Sequence, residues 1–316
     1  MPFDASPGSV VVAGPIPAGH DPDFERRLAR YRCLCSLLPA PSLPAGSALR
    51  PLWAAAPQAG RVLDRIQDQI TLARAVGSTT LVIPPLLLVG PPGSGKTWLA
   101  QQIASALFGA ATLLYPCAGL SSAIPLRGQS RSFHESGPGI VVDLLARHRA
   151  AGGAVVWDEI DKVGSGDWNG APLPALMQLL EPETSRALHD EFLQTTTDLS
   201  LVSHIATANR VDGLPPPLLS RFTVCHIESP GIAALPAILD GFRAETARRL
   251  RVPLDRVPQL GALDIERLRR SVAGRIDLRE LRRHYDAELL RRVRLDEHVA
   301  SSCKGAQGSS ISPVPA

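Results

Sequence analysis

No apolar run in the sequence is long enough to cross a bilayer as a helix, so a membrane partner is not expected. The start, MPFDASPGSVVVAGPIPAGHDPDF, has neither the basic residues nor the continuous apolar core of a secretory signal. Cysteine is scarce. The five residues Cys33, Cys35, Cys117, Cys225 and Cys303 are scattered and odd in number, which argues against a disulfide framework. Cys33 and Cys35 form a lone C-x-C without a second pair, too little for a zinc site. A reducing cytoplasm is the expected compartment. A net charge of +3 is too small to argue for nucleic acid, and the basic side comes almost wholly from arginine. Lysine occurs only at Lys96, Lys162 and Lys304, so its placement carries weight.

Lys96 falls in Leu86–Ala100, LLLVGPPGSGKTWLA. A buried-strand run (Leu86, Leu87, Leu88, Val89) stops at a glycine-rich turn, and Trp98, Leu99, Ile103 and Leu107 then recur at helical spacing. This is G-x-x-x-x-G-K-[ST] in the strand–loop–helix context it requires, which a chance glycine-rich turn would lack. Gly90, Gly93 and Gly95 permit backbone conformations closed to bulkier residues. The loop N–H groups and the helix N-terminus face an anion. Lys96 brings a point charge to the β- and γ-phosphates, and Thr97 offers a hydroxyl to Mg²⁺. Gly90, Pro91, Pro92, Gly93, Ser94, Gly95, Lys96, Thr97 and Trp98 are therefore the candidate residues for binding a nucleoside triphosphate.

The chain before the loop reads as a flexible Pro/Gly/Ala-rich tail (1–20), a helix over Asp21–Leu38, a proline-rich connector and a helix over Arg61–Val76. Strands and helices then alternate. Strands are predicted at Ala111–Tyr115, Ala154–Trp157, Val202–Ala208 and Thr223–Ile227, and helices at Ile140–Arg149, Leu173–Leu180 and Pro217–Phe222. Alternation of this kind predicts a parallel α/β sheet with its ligand at the carboxyl ends of the strands. After Gly231 only helical patterns remain, at Ile232–Arg251, Asp264–Ser271 and Asp277–Arg294. The expected organisation is an N-terminal region (1–60), an α/β core (61–230), a small α-helical lid (231–300) and a disordered tail (301–316).

A second constellation, AVVWDEIDK over Ala154–Lys162, is an apolar strand ending in adjacent carboxylates. Asp158 can orient the water shell of Mg²⁺, and Glu159 can polarise a water for attack on the γ-phosphate. GPPGSGKT together with VVWDEIDK resembles the AAA+ ATPases. RGQSRSFHESGPGIVVDLLAR (127–147), LMQLLEPETSRALHDEFL (176–193) and IATANRVDGLPPPLLSRF (205–222) narrow the resemblance to the ATPase module of the Lon protease family.

The resemblance implies a P-loop parallel-sheet core followed by a helical lid, which binds ATP with Mg²⁺. It implies catalytic roles for Glu159, for Asn209 as the sensor-1 residue, for Arg221 as an arginine finger and for Arg279 as the sensor-2 arginine, with Arg275 as a competing register. Phe133 and Trp168 fall where the family places pore-loop residues that grip polypeptide, although His134 stands where an aliphatic residue is expected. A homo-oligomeric ring, a hexamer, acting on a protein substrate is implied. The chain ends where the family's protease domain would start and carries no large N-terminal domain, so peptidase chemistry is not expected. A nucleic-acid factor of the clamp-loader type is the alternative, resting on the basic stretches Arg267–Arg270 and Arg279–Arg294.

Overall fold

The computed structural model describes residues 8–19, 21–133, 135–164, 170–272 and 274–306. One compact unit takes in the described chain to Ala54 and Gln58–Glu228; a second takes in Ala55–Pro57 and the chain from Ser229. In chain order the strands are β1 (Ser9–Val11), β2 (Leu37–Pro39), β3 (Leu86–Val89), β4 (Thr112–Pro116), β5 (Gly153–Asp158), β6 (Leu188–Asp190), β7 (Thr195–Thr197), β8 (Val202–Ala208) and β9 (Thr223–His226).

Five of these strands form the sheet that the alternation predicts, wholly parallel and in the order β4-β5-β8-β3-β9. β3 and β8 are buried along their whole length, which is why neither carries a charged residue or a breaker; the one large polar side chain in β8, His204, accepts the Trp157 indole N–H at 3.1 Å. The register sets Val89 beside Ala208 on one side and beside His226 on the other. Trp157 pairs with Ala206, so Asp158 follows onto Thr207. The strand ends thus share one carboxyl edge. Helix Lys96–Phe108 packs on the sheet through Ala100, Ile103, Ala104 and Leu107, three or four residues apart on one face. Helices Ile140–His148 and Pro172–Leu180 bury Val141, Leu145, Leu176 and Leu179 in the same core as Trp157.

The N-terminal region departs from expectation. Of the predicted tail, residues 1–7 and 20 lie outside the described residues, but 9–16 are packed. β1 pairs antiparallel with β2, and Val12, Ala13 and Ile16 are buried. The predicted helix over Asp21–Leu38 is a helix only over Pro22–Ala29, capped by the Asp21 side chain on Phe24 N–H. A 3₁₀ turn follows at Arg32–Cys35, and Leu37–Pro39 is strand. The apolar spacing belongs to one buried face, but partnership with β1, distant in sequence, draws its last residues into a sheet.

In the second unit, helices Leu235–Leu250, Ala262–Ser271 and Leu278–Ala306 follow one another, with Leu235, Ile238, Leu268, Leu281 and Tyr285 in a shared core. The last helix continues to Ala306, past the start of the predicted tail; 307–316 lie outside the described residues. No helix among the described residues is long and apolar enough to cross a membrane.

Candidate active site

The loop after β3 is shaped by its glycines. A β-carbon on Gly90 would lie 2.0 Å from the Ile227 carbonyl oxygen, and Gly93 and Gly95 take φ of 76° and 88°, the left-handed region. Gly95 caps helix Lys96–Phe108, so the N–H groups of the first turn, which includes Thr97 and Trp98, have no intrahelical partners. Pro91 and Pro92 precede this turn. Ser94 is buried, with its hydroxyl unpartnered among the described residues. The Lys96 ammonium donates to the carbonyls of Gly90 (2.8 Å) and Pro91 (2.9 Å) and to Asn209 Oδ1 (3.2 Å). It is a cation held at the mouth of the loop by neutral oxygens that an anion can outcompete.

At the end of β5, Thr97 Oγ1 donates to Asp158 Oδ1 at 2.6 Å, and Thr207 Oγ1 lies 2.7 Å from the same oxygen. The Glu159 N–H donates to Thr207 Oγ1 at 2.9 Å. Glu159 itself is left-handed, at φ 54° and ψ 51°, an uncommon conformation for a residue with a side chain. The Asn209 N–H donates to Asp161 Oδ2 at 3.2 Å, while Asp161 Oδ1 is buried and unpartnered among the described residues. Neither Thr207 nor Asp161 is singled out by the sequence motifs. Cys117, buried near Asp158 and Asp161, has its thiol pushed up to about 12, by burial first and then by those carboxylates, which leaves it unreactive.

The donors fit Mg²⁺. A hydroxyl and a carboxylate meet at one point, and both hydroxyls use Asp158 Oδ1, so Oδ2 accepts no hydrogen bond among the described residues. Among those residues no cluster of three or more His, Cys, Asp or Glu could cage a metal. A magnesium ion bound through phosphate needs only one or two protein oxygens, the rest of its shell being water and phosphate.

The other predicted residues stand elsewhere. Arg221, just past helix Pro216–Leu219, places Nε 3.2 Å from Glu181 Oε2, and its Nη1 donates to the Pro217 carbonyl. Arg279 belongs to the second unit, its N–H on Asp277 Oδ1 at 2.8 Å, and Arg275 forms a bridge with Gly231 there. Phe133 sits 57% exposed in a turn between Ser130 and Ser136. Trp168 lies outside the described residues.

A glycine loop between strand and helix, its lysine, and an acid at the end of β5, one strand removed across β8, define a nucleotide-binding P-loop module. Residues 86–228 match the model of the ATPase family associated with various cellular activities (AAA), and this stretch is an AAA+ module resembling the ATPase module of the Lon protease family. Over 148 residues the chain is 43% identical to the peroxisomal Lon protease homolog 2 of Arabidopsis thaliana and to the Lon protease of Syntrophus aciditrophicus. Each match covers 47% of this chain, against 16% and 18% of those proteins. The Lon protease of Rhizobium meliloti is 38% identical over 167 residues, 52% of this chain and 20% of that protein. The chain thus spans a small part of the relatives it matches. A closed-state cryo-EM reconstruction of Hsp104 with ATPγS and FITC casein shares the fold, with a TM-score of 0.63 at 18% identity over 79% of this chain and 47% of that one.

Proposed function

We propose that the chain hydrolyses ATP within a homo-oligomeric ring, a hexamer, and uses turnover to remodel or unfold a protein partner in a reducing cytoplasm. One observation carries this. Two hydrogen-bonded pairs, Lys96 with Asn209 and Thr97 with Asp158, bring three stretches of sequence together at the carboxyl edge of the sheet, side by side because Lys96 and Thr97 are adjacent. In this function Lys96 exchanges its loop carbonyls for β- and γ-phosphate oxygens, and Thr97 and Asp158 hold Mg²⁺. The metal, when bound, neutralises phosphate charge. Glu159 polarises the attacking water and Asn209 aligns it. Arg221 acts on the nucleotide of a neighbouring subunit, and Arg279 takes the sensor-2 role. Phe133 and Trp168 grip polypeptide. Polypeptide as the substrate class is supported by relatives that are Lon proteases and by a fold neighbour solved with FITC casein. Peptidase activity forms no part of this reading, and ATP-dependent cleavage of casein by the purified chain would overturn it there.

The nucleic-acid alternative draws on the arginine-rich helices of the second unit. There Arg267 is paired with Asp264 and Glu288, Arg270 with Glu266, and Arg282 with Glu245 and Asp286, so part of that charge is answered locally. Stimulation of ATPase by unfolded polypeptide and not by DNA is the expected outcome; the reverse, with binding that falls steeply with salt, selects the alternative.

The primary test separates binding from turnover. Lys96→Ala should abolish ATP binding, because the lysine contacts ground-state phosphate. Glu159→Gln should bind ATP and not hydrolyse it, because the carboxylate acts only on the attacking water. Normal turnover by the glutamine variant would remove Glu159 from the mechanism.

A further inference from the structure

Thr207 spends its hydroxyl on two groups that the proposed chemistry needs. Its proton goes to Asp158 Oδ1 at 2.7 Å, and its oxygen accepts the Glu159 N–H at 2.9 Å. The side chain is 1% exposed, so water cannot replace either bond. A left-handed backbone costs a residue with a β-carbon on the order of 1 kcal/mol, and Glu159 keeps it with a hydrogen bond on each of the two peptide groups that flank its Cα. Its N–H is held by Thr207 and its carbonyl by the Lys162 N–H at 2.8 Å. The same hydroxyl fixes one oxygen of Asp158, and the other accepts no hydrogen bond among the described residues.

We infer that Thr207 is a positioning residue that sets both acidic side chains at once, holding Asp158 for the metal and Glu159 for the attacking water. This inference rests on the ATPase function proposed above. With its hydroxyl committed to Asp158 Oδ1 and the Glu159 N–H, it acts through these two neighbours, as partners behind a metal ligand do. Serine keeps the hydroxyl and valine keeps only the shape. Valine also sets a methyl group where an oxygen now lies 2.7 Å from a carboxylate, so Asp158 must turn away.

The test compares wild type, Thr207→Ser and Thr207→Val in two assays: binding of a fluorescent ATP analogue across a Mg²⁺ titration, and steady-state hydrolysis. Thr207→Val should bind the analogue in EDTA as wild type does, because Lys96 and the loop are untouched. It should need more Mg²⁺ for the metal-dependent gain in affinity, and it should lose about 10- to 100-fold in kcat with KM little changed. Thr207→Ser should restore both properties. If Thr207→Val does not give folded protein by circular dichroism, Thr207→Ala replaces it, since it removes the hydroxyl without adding the methyl. A hydroxyl-free variant that keeps wild-type kcat and Mg²⁺ requirement overturns the inference, as does a serine variant impaired as badly as valine. If wild type binds nucleotide but turns none over, the proposed ATPase function falls, and the Mg²⁺ dependence of binding still decides Thr207.

Discussion

Asp190 sits at the end of β6, 3% exposed, and accepts N–H groups from Gly139 (2.8 Å), Phe192 (3.0 Å) and Leu193 (2.8 Å). Burial pushes its carboxyl up to about 6 from an ordinary 3.8, against the downward pull of those three donors and of His189. The sign of the consequence follows. Between about pH 4 and 6 the folded chain holds this proton and the unfolded chain does not, so stability falls as pH rises through that window and stays lower above it. The gap of about two units corresponds to something on the order of 3 kcal/mol. Asp190→Asn removes the titration, although its amide must then face the Gly139 N–H. Urea unfolding at a series of pH values should show wild type losing stability relative to the asparagine variant from pH 4 to 6, then running parallel to it. Curves parallel throughout would mean that the carboxyl is not protonated in the fold.

Around Asp190 the elements form a brace. The Arg131 guanidinium bonds the carbonyls of Phe192 (2.7 Å), Leu193 (3.0 Å) and Ala18 (3.1 Å), tying the turn that carries Phe133 to the N-terminal segment. Arg27 reaches the Ser136 carbonyl and lies 5.3 Å over the Phe24 ring and 5.7 Å over Phe192. Phe24→Ala should therefore cost about 3–5 kcal/mol in urea unfolding, the range of a buried aromatic truncation. A helix detached from the core would register within about 0.5 kcal/mol. The sequence disclosed less of this brace than of the sheet. Val202–Ala208 is legible from end to end because a strand buried on both faces is a run without charge or breakers, and Lys96, Thr97 and Asp158 are legible because the phosphate loop and the acid are local patterns. Thr207 was not. Within IATAN it reads as an ordinary β-branched strand residue, and only the pairing of Trp157 with Ala206, far apart in the chain, brings it to Asp158. The brace escaped for the same reason, since β1 finds β2 across an intervening helix and 3₁₀ turn.

At the scale of the whole molecule the proposed site is incomplete in a single chain, and Arg221 is the residue that tests this. Here its guanidinium rests on Glu181 at 3.2 Å, with the two side chains 28% and 37% exposed. The pair is half-buried and Nε makes no hydrogen bond among the described residues, so it is worth about 1 kcal/mol at most and can be exchanged for a phosphate on a neighbouring subunit. In related phosphoryl transfer an arginine finger contributes about 10³- to 10⁵-fold in rate. Neither Lys96→Ala nor Arg221→Ala should then hydrolyse ATP alone, because each homogeneous ring lacks one half of every site. Mixed rings create interfaces where an intact phosphate loop meets an intact arginine, and partial turnover should return, highest near equal proportions. Arg221→Lys should restore little, because an ammonium cannot make the planar two-pronged contact of a guanidinium. The measurement is ATPase across mixing ratios, with assembly followed by native mass spectrometry. Mixed rings that assemble without recovering activity would reduce Arg221 to the helix-end contact it makes with the Pro217 carbonyl. Full turnover by Arg221→Ala as a monomer would do the same, and would place the whole of catalysis within one chain.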